Sequence, residues 1–228
     1  RAYHSGARDH LRSDAARRIA RSYSQAHVLD TASEWLRQAT ELAADDGYRK
    51  VRISLGAAYL LVNEGKLEEA RDLYDSARRA ARNRDHLLIA ATATSRIAHV
   101  DLLMAEFERA LDGFEEAMVL DRAVGHWNKL AKDLLGVGQC HLWQGHYEDA
   151  LAPLERCVSM ATDLGDLLTV AAGNIHLGLS LSMTRDPVQG KAMVEKGYRK
   201  AVRGGLREAE IAADLHFLRI ALIQSDES

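Results

Sequence analysis

Apolar residues recur along the chain at helical spacing, and the pattern repeats every 40 residues. Between Trp127 and Trp143 the apolar positions follow a period near 3.6 residues. Gly145 interrupts this stripe, and a second stripe of the same kind runs from Tyr147 to Ala161. We therefore predict two helices in each 40-residue unit, joined by a short turn.

Small residues mark the positions where these helices should meet. Ala70, Ala110 and Ala150 are 40 residues apart, and Gly190 holds the same slot in a degenerate fourth copy. Self-similarity at a fixed period is typical of stacked repeat arrays, which bind other molecules on an extended surface more often than they catalyse reactions.

Turns rich in Gly, Asp and Asn divide the chain into units. They predict an N-terminal capping helix pair over residues 1–47 and three to four 40-residue repeats over 48–205. A C-terminal capping helix and a frayed tail are expected over 206–228. In the first pair, over about 7–28 and 31–43, Thr31 and Glu34 have the spacing of a capping box, which predicts a helix start at Thr31.

The third unit carries the set of residues that identifies a family. The set combines small residues with aromatic or branched ones and with a histidine at a helix-packing slot: Val137, Gly138, His141, Gly145, Tyr147, Ala150, Leu154 and Cys157. This set resembles the tetratricopeptide repeat, and matching sets cover about residues 30–202. The period of 40 in place of 34 is similar to arrays in kinesin light chains and in sensor regions of bacterial signal-transduction ATPases and regulators. We predict an all-α, right-handed superhelical solenoid of about five antiparallel helix pairs.

The resemblance also implies a binding surface, because the first helix of each repeat (helix A) lines a concave groove in such arrays. Carried over, the groove residues are Arg52, Leu55, Tyr59, Asn63, Ser95, His99, Lys132, Gln139, Trp143, Leu179 and Met183. The alternative is that the terminal helices cover several of these positions.

The histidines and cysteines of the third unit give no expected metal site. Cys140 and His141 are adjacent and point about 100° apart on a helix. His146 lies beyond a helix break, and Cys157 belongs to another helix. Together with the lack of a catalytic motif or phosphate loop, this predicts no metal, no cofactor and no enzyme activity.

Composition limits the kinds of partner that we expect this chain to bind. The net charge of −3 argues against general nucleic-acid binding. We find no run of about 18 apolar residues, so we expect no membrane insertion, and two sparse cysteines favour the cytoplasm. The predicted function is a non-catalytic scaffold or sensor module that holds a protein or peptide segment, within a larger regulatory protein. Self-association stays open. The alternatives are the regulatory region of a signalling enzyme and a solenoid that senses a small molecule.

Overall fold

The computed structural model describes residues 2–226, with side chains described at 8–207 and 209–221. Over this range the regular secondary structure is entirely α-helical, as predicted. Contacts divide the helices into two compact units, Arg1–Ala105 and Glu106–Ser228. That all of residues 1–228 form one continuous right-handed solenoid stays a prediction.

The first unit consists of helices that pack against their neighbours in chain order. Its described elements are α1 (Ala2–Gln25), α2 (Leu29–Ala43), α3 (Gly47–Asn63), α4 (Leu67–Arg82) and α5 (Leu87–Leu103). The helix-A elements also touch one another, α1 against α3 and α3 against α5. Short connections between long helices favour such antiparallel neighbours.

The second unit repeats this arrangement. Its described elements are α6 (Phe107–Ala123), α7 (Trp127–Gln144), α8 (Tyr147–Asp163), α9 (Leu167–Thr184), α10 (Pro187–Gly204) and α11 (Arg207–Asp226). Consecutive helices are in contact, and α9 packs against both α7 and α11. Helix α9 is thus surrounded by other helices of its own unit.

The 40-residue register is confirmed at the helix contacts. Ala70, Ala110 and Ala150 are all completely buried. In the same slot of the next repeat, Gly190 lies so close to Gly178 that a Cβ atom on Gly178 would stand 2.6 Å from the carbonyl oxygen of Gly190. Small residues therefore set how closely the paired helices approach.

The start of α2 differs from the prediction. The helix begins at Leu29, its N-cap is Val28, and no side chain caps it. Thr31 already lies inside the helix, so the predicted capping box is wrong. Glu34 instead accepts hydrogen bonds from Arg37 and Gln38 along the exposed surface of the helix. The spacing of a capping box is also that of an ordinary helix turn, so it does not fix where a helix begins.

Helix α9 bears on the expectation about apolar runs, because it is apolar on average although polar residues interrupt it. Its 18 residues have a mean hydropathy of 1.3, long and apolar enough by length and composition to cross a membrane. However, 67 % of this segment is buried inside the fold. Its apolar character matches its position among α7, α8, α10 and α11.

Candidate functional site

The predicted groove residues of the first unit lie on α3 and α5, and α1 occupies part of that surface. The guanidinium of Arg52 is 3.2 Å from the carboxylate of Asp14 in α1 and stacks 5.4 Å from the centre of the Tyr48 ring. The side-chain amide of Asn63 donates to the hydroxyl of Ser24, also in α1, at 2.8 Å. Two predicted groove residues therefore bind the N-terminal helix, as the alternative stated above expects.

The remaining groove residues of the first unit differ in their exposure. Tyr59 is half-buried beneath the guanidinium of Arg96, which is 5.4 Å from its ring centre. Leu55 packs against the apolar interior, and His99 is half-buried. Ser95 is only 7 % exposed, so its assignment to a groove surface is corrected.

In the second unit, a chain of neutral hydrogen bonds crosses three helices. Gln139 of α7 lies 3.0 Å from Nε2 of His176 in α9, and Nδ1 of His176 lies 3.0 Å from Nε2 of His216 in α11. If the amide of Gln139 donates to His176, that ring carries its proton on Nδ1 and donates it to His216. One tautomer therefore satisfies both contacts.

Both histidine rings in this series of hydrogen bonds are held in the neutral form. Burial, followed by the nearby ring of His216, lowers the pKa of His176 to about 3. Burial also lowers the pKa of His216 to about 4, and the charge of Arg219 adds to this effect. The charged form of either ring would lose its hydration inside the unit, so both rings are neutral near pH 7.

An aromatic surface adjoins these buried hydrogen bonds. The ring centre of Trp143 is 6.4 Å from that of His216, and Trp143 remains 49 % exposed. Arg219, three residues after His216 in α11, donates a hydrogen bond to the hydroxyl of Tyr147 and lies 5.4 Å from the centre of its ring. We give the name Trp143 surface to Trp143, Tyr147 and Arg219, which are exposed or half-buried, together with the buried rings of His176 and His216.

The other predicted residues of the second unit lie in different environments. Met183 is half-buried against the apolar core. Lys132 is exposed, and its ammonium is 3.3 Å from the carboxylate of Asp166, which caps α9. Leu179 is completely buried, so it lies in the core and lines no groove. Residues at helix-A positions therefore differ in whether they reach the surface.

A second polar cluster lies at the turn between α7 and α8. His141, His146 and Asp149 each offer one ligand atom, and these atoms all lie within 4.8 Å of one another. The helix break predicts from the sequence that the two histidines are apart, whereas the turn brings them together. Cys140 and Cys157 are buried free thiols, and burial raises the pKa of each to about 12.

Sequence reasoning missed several of these residues, although the register contained a signal for two of them. His176 and His216 are 40 residues apart and share their slot with Gly136. A titratable side chain that replaces glycine at a helix contact must be buried or must displace its neighbours. Asp149 was missed because its slot is acidic elsewhere too, as at Glu69.

Comparisons with known proteins agree with the repeat architecture. The family model described as Tetratricopeptide repeat matches residues 89–163. A search of curated protein sequences finds no match to this chain.

Solved structures resemble most of the chain at low sequence identity. BtubC from P. vanneervenii has a TM-score of 0.72 and 18 % identity, over 90 % of this chain and 85 % of that one. A Rap protein complexed with Competence and Sporulation Factor has a TM-score of 0.65 and 14 % identity, over 94 % and 65 %. A signal transduction ATPase with numerous domains from Pyrococcus horikoshii, which has a tetratricopeptide repeat sensor, has a TM-score of 0.68 and 11 % identity, over 96 % and 37 %.

The family match, the buried small residues at 40-residue intervals and the fold likeness agree with one another. This chain is a helical repeat protein with the tetratricopeptide-repeat fold, and its residues 89–163 match the model of that family.

Proposed function

We propose that the protein is a non-catalytic binding module that holds a peptide or protein segment on the Trp143 surface of its second unit. The observation that carries this proposal is the indole of Trp143, which is half exposed although it adjoins a buried, hydrogen-bonded core. Tryptophan, tyrosine and arginine are the residues that most often supply binding energy at protein interfaces. Trp143 contacts His216 of α11, and Arg219 of the same helix contacts Tyr147, so α11 links residues of all three types.

The rigidity of the layer beneath supports this role. His176 and His216 are fixed by hydrogen bonds on α9 and α11, so the indole lies against a surface with few alternative arrangements. A preorganised surface loses less conformational entropy when a ligand binds. The Rap protein structure, which is complexed with Competence and Sporulation Factor, lends support by likeness of fold alone.

The wider context of the module is also part of the proposal. We infer that it acts as the sensor or partner-binding portion of a larger regulatory protein in the cytoplasm. The fold likeness to an ATPase that has a tetratricopeptide repeat sensor supports such a context, and two buried free thiols suit a reducing compartment.

The chain provides a matched control for testing the binding surface. Trp127 and Trp143 lie at opposite ends of α7, and each is 49 % exposed. Peptides that bind the whole chain would be selected from a displayed random library. Each peptide would then be titrated with the parent chain and with the Trp143→Ala and Trp127→Ala variants. We expect Trp143→Ala to weaken binding by more than about 1 kcal/mol, and Trp127→Ala to change it little.

Two further variants define the surface more sharply. Lys132→Glu is expected to weaken the binding of acidic peptides, because Lys132 is exposed on the same helix as Trp143. Glu155→Ala, on an exposed part of α8, should leave binding unchanged. Binding that depends on Trp127 or Glu155 but not on Trp143 would place the ligand elsewhere and end this proposal.

A further inference from the structure

We propose that His141, His146 and Asp149 form a binding site for a divalent transition-metal ion of the Zn²⁺ class. The three residues lie at the end of α7 and the start of α8, and their ligand atoms are all within 4.8 Å of one another. This inference goes beyond the proposed peptide-binding function and does not rest on it. It reverses the sequence expectation that the chain holds no metal.

The backbone of the turn explains why the three side chains converge. Gly145 has a φ of 80°, and the N–H of His146 donates to the carbonyl of His141 at 2.8 Å. This hydrogen bond closes the end of the helix and places the two histidines side by side. His146 is then the N-cap of α8, and Asp149 is three residues further, where a side chain reaches back toward the N-cap.

The turn geometry is shared with other repeats, but the side chains are not. The same backbone hydrogen bond joins Lys66 to Leu61 at 2.9 Å and Asp186 to Leu181 at 3.0 Å. At the slots of His141, His146 and Asp149, the first of these turns carries Leu61, Lys66 and Glu69, and the other carries Leu181, Asp186 and Gln189. No histidine stands at these slots in the two other turns, although carboxylates do at Glu69 and Asp186. The fold therefore requires no imidazole there, and the pair of histidines at the α7–α8 turn is a local specialisation.

The chemistry of the three groups fits a metal ion of this class. Two imidazoles and one carboxylate are a donor set that Zn²⁺ and its neighbours bind well. Burial lowers the pKa of His141, with Asp149 opposing this effect and His146 adding to it. Nδ1 of His141 is buried and has no hydrogen-bond partner among the described residues. A metal ion on either ring nitrogen would fix the tautomer of this ring.

The spacing permits closure around an ion. Tetrahedral Zn²⁺ with bonds of about 2.0–2.1 Å to nitrogen needs ligand atoms roughly 3.3 Å apart. His146 and Asp149 are exposed, so their side chains can rotate inward from the present separation without disturbing the core. Three protein ligands leave a fourth position, which water or a carboxylate from outside the chain would fill.

Metal binding by the whole chain provides the test. Protein stripped with EDTA and desalted is titrated with ZnCl₂ in a calorimeter, and the Co²⁺ form is examined for the visible absorption of tetrahedral coordination. We expect one high-affinity equivalent. His141→Gln, His146→Gln and Asp149→Asn are each expected to weaken it about tenfold or more, which is about 1.4 kcal/mol.

Two matched substitutions control for loss of any histidine or carboxylate. His27→Asn removes an exposed histidine whose positive φ of 56° asparagine tolerates. Glu69→Gln changes the residue in the slot of Asp149 two repeats earlier. Both variants should bind Zn²⁺ like the parent chain, and circular dichroism of the metal-free proteins should show that all variants are folded.

The outcomes separate a site from adventitious binding. Loss of the single equivalent in the three site variants, with retention in both controls, supports the proposal. An adventitious ion only, meaning weak binding that falls equally with His27→Asn or is unchanged in the site variants, overturns it. Absence of any Zn²⁺ binding by the folded parent chain overturns it as well.

Discussion

The helix-A faces of the two units are built from different interactions. In the first unit, ions dominate: Asp14 lies 3.2 Å from Arg52 and 3.7 Å from Arg49, and arginines stack on tyrosines. In the second, the central contacts are neutral hydrogen bonds between Gln139, His176 and His216. One repeat framework therefore supports two kinds of surface, one sensitive to salt and one sensitive to pH.

The difference between the two faces follows from how deeply their polar side chains are buried. Asp14, Arg49 and Arg52 keep between 22 % and 29 % of their side-chain surface exposed, so water still screens their charges. His176 is only 4 % exposed and cannot remain charged at moderate cost. In these two clusters, the partly exposed contact between helices is ionic and the deeply buried one is neutral.

The largest expected effect tests what the two units share. Ala70→Arg in the first unit and Ala150→Arg in the second place a charged side chain in the same completely buried slot. Each should lower the free energy of unfolding by about 3 kcal/mol or more, because an unpaired charge is buried and the helix contact is overpacked. Chemical denaturation followed by circular dichroism measures the loss. Unchanged stability in both variants would contradict the register itself.

A second prediction concerns pH and separates the two faces. Unfolded, both histidines take up protons near pH 6.5, whereas the folded second unit holds them neutral down to about pH 4 and about pH 3. The stability they contribute is therefore complete above pH 6.5 and is lost as the pH falls through this window. We expect a loss of more than about 2 kcal/mol between pH 6.5 and pH 4, because a tenfold change in proton affinity between the folded and unfolded chain corresponds to about 1.4 kcal/mol.

The double variant His176→Gln/His216→Gln should flatten this pH dependence, even if its stability at pH 7 is lower. Thermal melts across the pH range give the slope directly. His27→Asn, which changes an exposed histidine, should leave the slope as in the parent chain. An equal slope in the parent and the double variant would show that other groups cause the acid sensitivity.

The smallest expected effect concerns the ionic face. Asp14→Ala removes the carboxylate that faces Arg49 and Arg52, and should cost about 0.5–1 kcal/mol at low salt. The cost should shrink as ionic strength rises, because salt screens partly exposed charges. Asp45→Ala is the control, since its pair with Lys50 is fully solvated on the Asp45 side. Equal losses from both variants would remove the distinction between this face and any surface ion pair.

The sequence was sufficient for the architecture because the fold depends on a periodic property. Buried alanines at a constant interval and turns at predictable places fix the helices to within a few residues, as at α7 and α8. The start of α2 was missed, since Thr31 and Glu34 form an equally plausible pattern inside a helix. Local spacing alone does not show where the first turn begins.

The candidate sites were less predictable for a different reason. Whether a helix-A residue reaches the surface depends on neighbouring helices, which left Leu179 and Ser95 buried and Trp143 exposed. The contact between His141 and His146 arises from the reversal of the chain at Gly145, which an argument based on a straight helix does not include. Contacts that recur with the repeat period could be predicted from the sequence, whereas contacts that depend on the shape of a turn could not.

The turn that joins His141 to His146 has a consequence for protein engineering. Its shape is held by main-chain hydrogen bonds and a residue of positive φ, as also at Gly65, so the three side chains it displays are not needed to maintain the turn. Side chains at these three positions can therefore be exchanged while the backbone of the turn stays the same. Residues grafted at Leu61, Lys66 and Glu69 would inherit the same spatial arrangement, and new chemistry could be installed repeat by repeat without redesign of the scaffold.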